Sequence, residues 1–226
     1  MKTILDYKNL HTIWIGDESK TPYRNIDTWK AKHPDWKFKL WGNKELKEYK
    51  WERQDIIDEY LKYNNYPAVA DVMRYQILKD IGGFVAPADS ICLHNLEELL
   101  NHKAIGVYEN EKVRKGLISP LMASVPNHEL PTALLDNMQM KYDPHNKPLR
   151  PVWVTGNYYM RDMIKARHWD DLVILPSYTL IPIHFTGETY KGNEKVYAMQ
   201  TWGDTTKRGK GIGSYTINPK WLADHV

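Results

Sequence analysis

Between Pro67 and Ser90 the chain strings together a helix, a double glycine, a short apolar strand and an acidic turn, and that order limits the fold more than any other segment. Pro67 suits a first helical position, where its missing N–H has no intrahelical partner to lose. Ala68 to Ile81 carry a helical pattern, and Gly82-Gly83 stops it by supplying the left-handed backbone with which helices commonly end. Phe84-Val85-Ala86 then reads as a short apolar strand, with Pro87-Ala88-Asp89-Ser90 just past its carboxyl end.

The remaining segments alternate in the same way. Thr12 to Ile15, Trp36 to Trp41, Ala104 to Tyr108, Leu117 to Val125, Leu172 to Leu175 and Thr179 to Ile183 read as strands. Asn25 to Lys32, an irregular Glu45 to Leu61, Leu130 to Met140 and Thr155 to Arg167 read as helices, the last with Thr155 as its N-cap. Alternation of this kind predicts an α/β fold, a mostly parallel central sheet flanked by helices. No repeat or linker interrupts the 226 residues, so a single domain over 1–226 is expected. In such sheets ligands bind beyond the carboxyl ends of the strands, which puts Asp17 and Asp89 near one crevice.

Composition narrows the classes of function. Lys and Arg number 31 against 28 Asp and Glu, a spread excess of +3 that makes a poor footprint for a duplex nucleic acid. No apolar run is long enough for a membrane span. The opening MKTILDYKNL lacks the apolar core of a secretory signal, so a cytoplasmic location is expected. Cys92 stands alone, which excludes an internal disulfide and a cysteine-rich zinc site and fits a reducing compartment. Nine Trp and 15 Tyr against 3 Phe supply flat rings with polar edges, suited to packing and, at two or three positions, to stacking on sugars or bases.

Asp71 and Arg74 lie three apart and therefore share a helix face. Their helix leads through the double glycine to Asp89, so two carboxylates and a guanidinium could meet at one sheet edge. Spacing alone is equally met by a surface Asp–Arg pair followed by a turn aspartate. His184 reads as a packed histidine beside a strand.

The residues themselves go further than the spacing. Ala70-Asp71-Val72-Met73-Arg74-Tyr75-Gln76-Ile77-Leu78, followed by Gly82-Gly83-Phe84-Val85-Ala86-Pro87-Ala88-Asp89-Ser90, resembles the DXD-containing sugar-binding glycosyltransferase family. That family includes capsular polysaccharide transferases and fungal outer-chain mannosyltransferases, and is distantly similar to the glucosylating domain of large clostridial toxins. His11-Thr12-Ile13-Trp14-Ile15-Gly16 is similar to its N-terminal block, and Tyr197-Ala198-Met199-Gln200-Thr201-Trp202-Gly203 to its C-terminal block. The resemblance implies a GT-A-type nucleotide-binding domain that moves a sugar from a nucleoside-diphosphate sugar, UDP- or GDP-linked, to a glycan hydroxyl with retention.

By the same resemblance, Trp14 stacks beside the nucleotide base, with Ile13 next to it. Asp71 and Arg74 contact donor sugar and nucleotide, Asp89 with its neighbour Ala88 meets the metal and diphosphate, and Trp202 closes over the diphosphate. Asp71, Arg74 and Asp89 are thus the expected catalytic set, and Asn127-His128 and Thr155-Gly156-Asn157 are secondary candidates where the family lines its acceptor and donor cleft. Mn²⁺ or Mg²⁺ is the implied cofactor, with Asp89 and Gln200 as its ligands. Two departures bear on that cofactor. Pro87 stands where the family has the first aspartate of the DXD, and Gln200 where it usually has histidine. Pro87 offers no side-chain ligand, which weakens the expected site and keeps a second possibility open, a sugar-binding relative without catalysis. Lys207 and Arg208, in a glycine-rich basic stretch within 207–226, could form a lid that adds positive charge over the departing diphosphate; a solvated basic tail meets the same sequence. The expected partners are the nucleotide-sugar donor and a glycan acceptor, with no nucleic acid and no membrane span.

Overall fold

A computed structural model describes residues 2–202. The chain begins with β1 (Asn9–Ile13), α1 (Tyr23–Lys32), β2 (Lys37–Trp41), α2 (Asn43–Glu48) and α3 (Gln54–Leu61). There follow α4 (Tyr66–Asp80), β3 (Gly83–Ala86), β4 (Ser90–Cys92), β5 (Ala104–Asn110) and β6 (Arg114–Ser124). α5 (Glu129–Asp136), α6 (Pro151–Val154), α7 (Asn157–Lys165), β7 (Leu172–Leu175) and β8 (Ala198–Gln200) complete it. Six strands form the central sheet in the order β2-β1-β3-β6-β5-β7. The pairs β1–β2, β1–β3 and β5–β7 are parallel, as alternation predicts. β6 runs antiparallel to both of its neighbours, because the tight turn after Asn110 sends the chain straight back along β5.

Side chains alternate across the sheet with the two-residue period of a strand. Phe84 and Ala86 join one core layer, with Leu10, Trp29, Leu96 and Leu180, while Val85 joins the other, with Trp41, Val72, Leu134 and Met160. α4 lies inside the second layer, between α3 and α5, and ten of its residues from Ala68 to Leu78 are buried. Its exit needs glycine twice. Gly82 and Gly83 have φ of +70° and +107°, and a Cβ would meet Pro126 at 2.5 Å and the Asn9 carbonyl oxygen at 2.3 Å.

Three expectations change. The irregular helix is two, α2 and α3, with the backbone N–H of Glu52 in the break satisfied by the Gln76 side chain. Thr179 to Ile183 is not a strand: Ser177–Thr179 forms a 3-10 turn and Ile183 makes a lone bridge to Thr189. Pro182 falls inside this stretch and Pro176 just before it, and proline has no N–H to give a ladder. Finally, α7 starts at Asn157 behind Gly156, so Thr155 is not its N-cap. The Thr155 hydroxyl is engaged elsewhere, as the site shows.

β4 and β8 pair antiparallel in a second, two-stranded sheet with Ser90 opposite Gln200 and Cys92 opposite Ala198. This pairing carries the C-terminal part of the described chain back to the turn that holds Asp89. No helix among the described residues is long and apolar enough to cross a membrane.

Candidate active site

α4 runs back along β3, and the distances match. Asp71 lies nine residues before the end of the helix, roughly 13 Å along its axis, and Ala86 lies three residues into the strand, roughly 10 Å. Asp71 and the end of β3 therefore reach the same sheet edge. Arg74 Nη1 donates to Asp71 Oδ1 at 2.6 Å, and both side chains are only 10% exposed. Thr155 Oγ1 donates to the other carboxylate oxygen, Asp71 Oδ2, at 3.1 Å. Tyr75, one turn from Asp71, donates its hydroxyl to the Thr155 carbonyl and fixes that loop from beneath. Gly156 completes the cradle, since a Cβ there would lie 3.2 Å from Asp71 Oδ2. Burial pushes the Asp71 carboxyl above its usual range, against the pull of Arg74 and Thr155. Arg74 Nε is buried and has no hydrogen-bond partner among the described residues. The sequence alternative of a surface pair is set aside by this burial.

Asp89 sits half-buried in the turn after β3. Ser90 closes that turn, its N–H and hydroxyl both donating to the Pro87 carbonyl. Gln200 Nε2 donates to Asp89 Oδ1 at 2.6 Å, and Thr201 donates to the Asp89 carbonyl from both its N–H and its hydroxyl. The Gln200 Oε1 atom is buried with no partner among the described residues. Trp202 follows with φ of +57°, a backbone conformation that bulky side chains seldom adopt. Its Nε1–H donates to the Ile183 carbonyl at 2.8 Å, and its ring meets His184 and Phe185 edge-on at 5.6 and 5.3 Å.

Those contacts lead to a group that sequence reasoning missed. His184 Nε2 pairs with Glu109 Oε1 at 3.0 Å, and Arg114 Nη1 reaches the same oxygen at 3.3 Å. Asn157 donates its amide to Glu109 Oε2. Glu109 stands near the carboxyl end of β5, and Asn157 follows the Gly156 that cradles Asp71. A continuous path of contacts thus runs from Arg74 and Asp71 through residues 155–157, Glu109, His184 and Trp202 to Gln200 and Asp89. Glu109 carries no local motif; its position at the end of a strand was the available signal.

The other expected residues fall variously. Trp14 is half-buried at the exit of β1, its Nε1–H donating to the Asp17 carbonyl. Ile13 gives its side chain to the core, which leaves only its backbone for any donor contact. Ala88 is buried, with the Asn25 amide near its carbonyl. Asp17 faces solvent, where the Ser19 hydroxyl and Lys20 hold its carboxyl down to about 2. Lys207 and Arg208 lie outside the described residues. Asn127 and His128 belong to the opposite edge of the sheet, near the start of β3 and β5. There His128 lines a cavity of about 350 Å³ with Lys103, Trp169 and Asp171. They are placed far from the Asp89 turn because β6 runs antiparallel and delivers its end to the start of β3.

With this geometry in place, comparison with known proteins decides the class. The family described as glycosyltransferase sugar-binding region containing DXD motif matches residues 20–105. That match takes in Asp71, Arg74 and Asp89. An uncharacterized glycosyltransferase of Acanthamoeba polyphaga mimivirus is 26% identical over 193 residues, covering 76% of this chain and 72% of the relative. Inositol phosphoceramide mannosyltransferase 3 of Schizosaccharomyces pombe is 24% identical over 205 residues, or 82% of this chain and 54% of the relative. A mannosyl phosphorylinositol ceramide synthase of Saccharomyces cerevisiae is 32% identical over 97 residues, 42% of this chain and 25% of the relative. The chain therefore spans about half, or less, of the two yeast proteins. In fold it is similar to the PaToxG glycosyltransferase, with a TM-score of 0.55 at 17% identity over 70% of this chain and 69% of that one. The family match and the relatives point to a glycosyltransferase, and the structural likeness is one of fold.

The family usually uses a divalent metal. The donor set suits one that the substrate helps to hold. Asp89 and Gln200 Oε1, which has no partner among the described residues, are hard oxygens, and Mg²⁺ or Mn²⁺ takes one or two carboxylates with phosphate oxygens and waters completing its shell. Among the described residues, no group of three or more His, Cys, Asp or Glu could hold a metal without such help.

Proposed function

We propose that this glycosyltransferase moves a sugar from a nucleoside-diphosphate sugar to a hydroxyl of a glycan acceptor, with retention at the anomeric carbon. The observation that carries this reading is the buried Asp71–Arg74 pair, which shares the carboxyl edge of the sheet with the Asp89–Gln200 pair. Asp71 fixes the plane of the guanidinium, and Arg74 keeps a buried Nε–H without an acceptor. A donor oxygen supplies that acceptor, so binding satisfies a group that the described residues leave unsatisfied.

Transfer breaks the bond between the anomeric carbon and the diphosphate oxygen and forms one to the acceptor oxygen. The acceptor oxygen attacks from the face that the diphosphate leaves, which accounts for retention, and its proton passes to a phosphate oxygen, so no separate base is needed. The chain's part is to position the donor and to meet charge where it develops. Arg74 faces the donor as a planar, bidentate cation. Trp14 stacks on the base, and Trp202 covers the diphosphate from the β8 side. A divalent cation, when bound by Asp89 and Gln200, offsets the charge of the departing diphosphate.

The yeast relatives are named for mannose, so a nucleotide-linked mannose leads the donor panel. Thermal shift against UDP- and GDP-sugars, with and without Mn²⁺, is expected to raise Tm for one donor, since a ligand specific to the folded state stabilises it. Mass spectrometry then detects transfer to oligosaccharides or hydrolysis. No shift with any donor overturns the reading, and binding without either reaction leaves the non-catalytic relative in its place.

A further inference from the structure

Glu109 is 3% exposed, and a carboxylate taken out of water is costly unless charged and hydrogen-bonding partners surround it. Its partners come from three separate parts of the chain: Arg114 at the start of β6, Asn157 at the start of α7, and His184 in the loop before β8. A well-packed apolar residue would serve simple stability as well. What a carboxylate adds is a fixed point for several segments at once. Arg114 is itself held over the Phe185 ring, its Cζ 5.0 Å from the centroid, and Phe185 meets Trp202. His184 is wholly buried, spanning Glu109 on one ring nitrogen and the Thr186 hydroxyl on the other, with the Trp202 ring at a steep angle to its own.

Two walls of the proposed cleft are therefore tied to one carboxylate. One wall is the 155–157 turn that grips Asp71; the other is the segment that carries Gln200 and Trp202. We propose that Glu109 is a positioning residue that keeps these walls in register, acting on the first through Asn157 and on the second through His184 and Arg114. The donor-binding part of this inference rests on the reaction proposed above; the mechanical part does not. Glu109 touches neither donor nor reacting atoms, so its effect falls on how well the cleft is formed before the donor arrives.

Two measurements on Glu109→Gln test it, with Asn157→Ala and His184→Gln as variants that cut one tie each. Hydrogen exchange followed by mass spectrometry reads the ties without any substrate. Glu109→Gln is expected to speed exchange at residues 155–160 and 198–202 together, by about tenfold, with the α4 and β1 amides unchanged. Asn157→Ala is expected to speed only the first stretch, and His184→Gln only the second. Exchange that rises evenly along the chain, or in one stretch alone for Glu109→Gln, overturns the inference.

Kinetics separate positioning from bare stability. The donor KM of Glu109→Gln is expected to rise about tenfold with kcat within about threefold and acceptor KM unchanged. The double variant Glu109→Gln/Asn157→Ala is expected to match the worse single variant, because both cut the same tie. A lowered Tm with donor KM unchanged, or strictly additive effects, overturns it. If the wild-type protein binds no nucleotide sugar, the proposed reaction falls, and the exchange data alone still decide the role of Glu109.

Discussion

At the carboxyl edge of β5, Glu109 is paired with His184 and Arg114, with side-chain exposures of 4%, 0% and 36%; at the opposite edge, Asp171 is paired with His128 and Lys103, with exposures of 39%, 4% and 31%. Each cluster is a carboxylate, a histidine and a cation, so an inventory of residue types does not distinguish them. Their settings do. Glu109 is sealed among segments that also grip Asp71 and carry Trp202, whereas Asp171 opens to water beside a cavity that touches none of these residues. Water screens the second cluster and leaves it worth little, while the first stands where strands end and ligands bind. The same chemistry therefore serves different ends according to which edge holds it.

The largest effect expected from this contrast concerns Asp89. Asp89→Ala is expected to lower transfer by about 10³-fold or more, with Tm moved by only a few degrees, since the side chain is half-buried in a turn. Asp171→Ala, made in parallel, is expected to leave transfer unchanged. Initial rates on the two purified variants check both. Equal losses would erase the distinction between the edges.

Acid sensitivity separates scaffold from chemistry. His11 lies in β1, its Nε2–H donating to the Gly82 carbonyl and its Nδ1 accepting from the Trp41 indole. Burial holds its pKa down to about 4 from 6.5, with the Gly82 bond opposing. As pH falls from about 6.5 to 4, the unfolded chain takes up a proton that the folded chain refuses. Stability on the order of 3 kcal/mol is therefore present above that window and lost within it. Urea titrations between pH 7 and 4 check this, and His11→Gln is expected to flatten the loss. An equally steep curve for that variant would move the acid response to the clusters at the edges.

Arg74→Lys gives the next effect. Charge is kept, but the flat fork that meets Asp71 at 2.6 Å and leaves Nε for a donor is lost. A drop of about 10²-fold in kcat/KM for the donor is expected. Near-normal kinetics would reduce the Asp71–Arg74 pair to a structural ion pair.

How much of this was legible depended on how local each instruction is. Asp71, Arg74, the double glycine and Asp89 lie within 20 residues, and helix phase with two left-handed glycines fixes where each one goes. Thr155, Glu109 and His184 are different. Thr155 meets Asp71 across 84 residues, and His184 meets Glu109 across 75, so no spacing rule connects them. Thr155 in front of a helical pattern resembles a cap, and only the fold reveals that its hydroxyl is taken by Asp71. The reversal of β6 was hidden for a related reason: an apolar strand reads alike in either direction. Proline, by contrast, carried a legible warning at 176 and 182, where the expected strand fails.

The smallest effect is also the cleanest test of the opposite edge, because there the sign itself discriminates. Burial alone would raise the Asp171 carboxyl, but Lys103 and His128 outweigh it and hold the group below its usual range. A depressed carboxylate contributes stability that is present above its ordinary value near 3.8 and lost as pH falls through the lower folded value. Asp171→Asn is therefore expected to be less stable than wild type at pH 6 by under about 1 kcal/mol, given its exposure. That gap should close as pH falls below about 4, with transfer unaffected throughout. Asp71 has the contrary sign. Its folded carboxyl is raised by burial, so its own contribution improves as pH falls towards and below that raised value. Tm measured from pH 6 to 3 for Asp171→Asn checks the first slope. A gap that widens in acid, or a loss of transfer, would mean that the Asp171 cluster is coupled to the edge that holds Asp71 and Asp89.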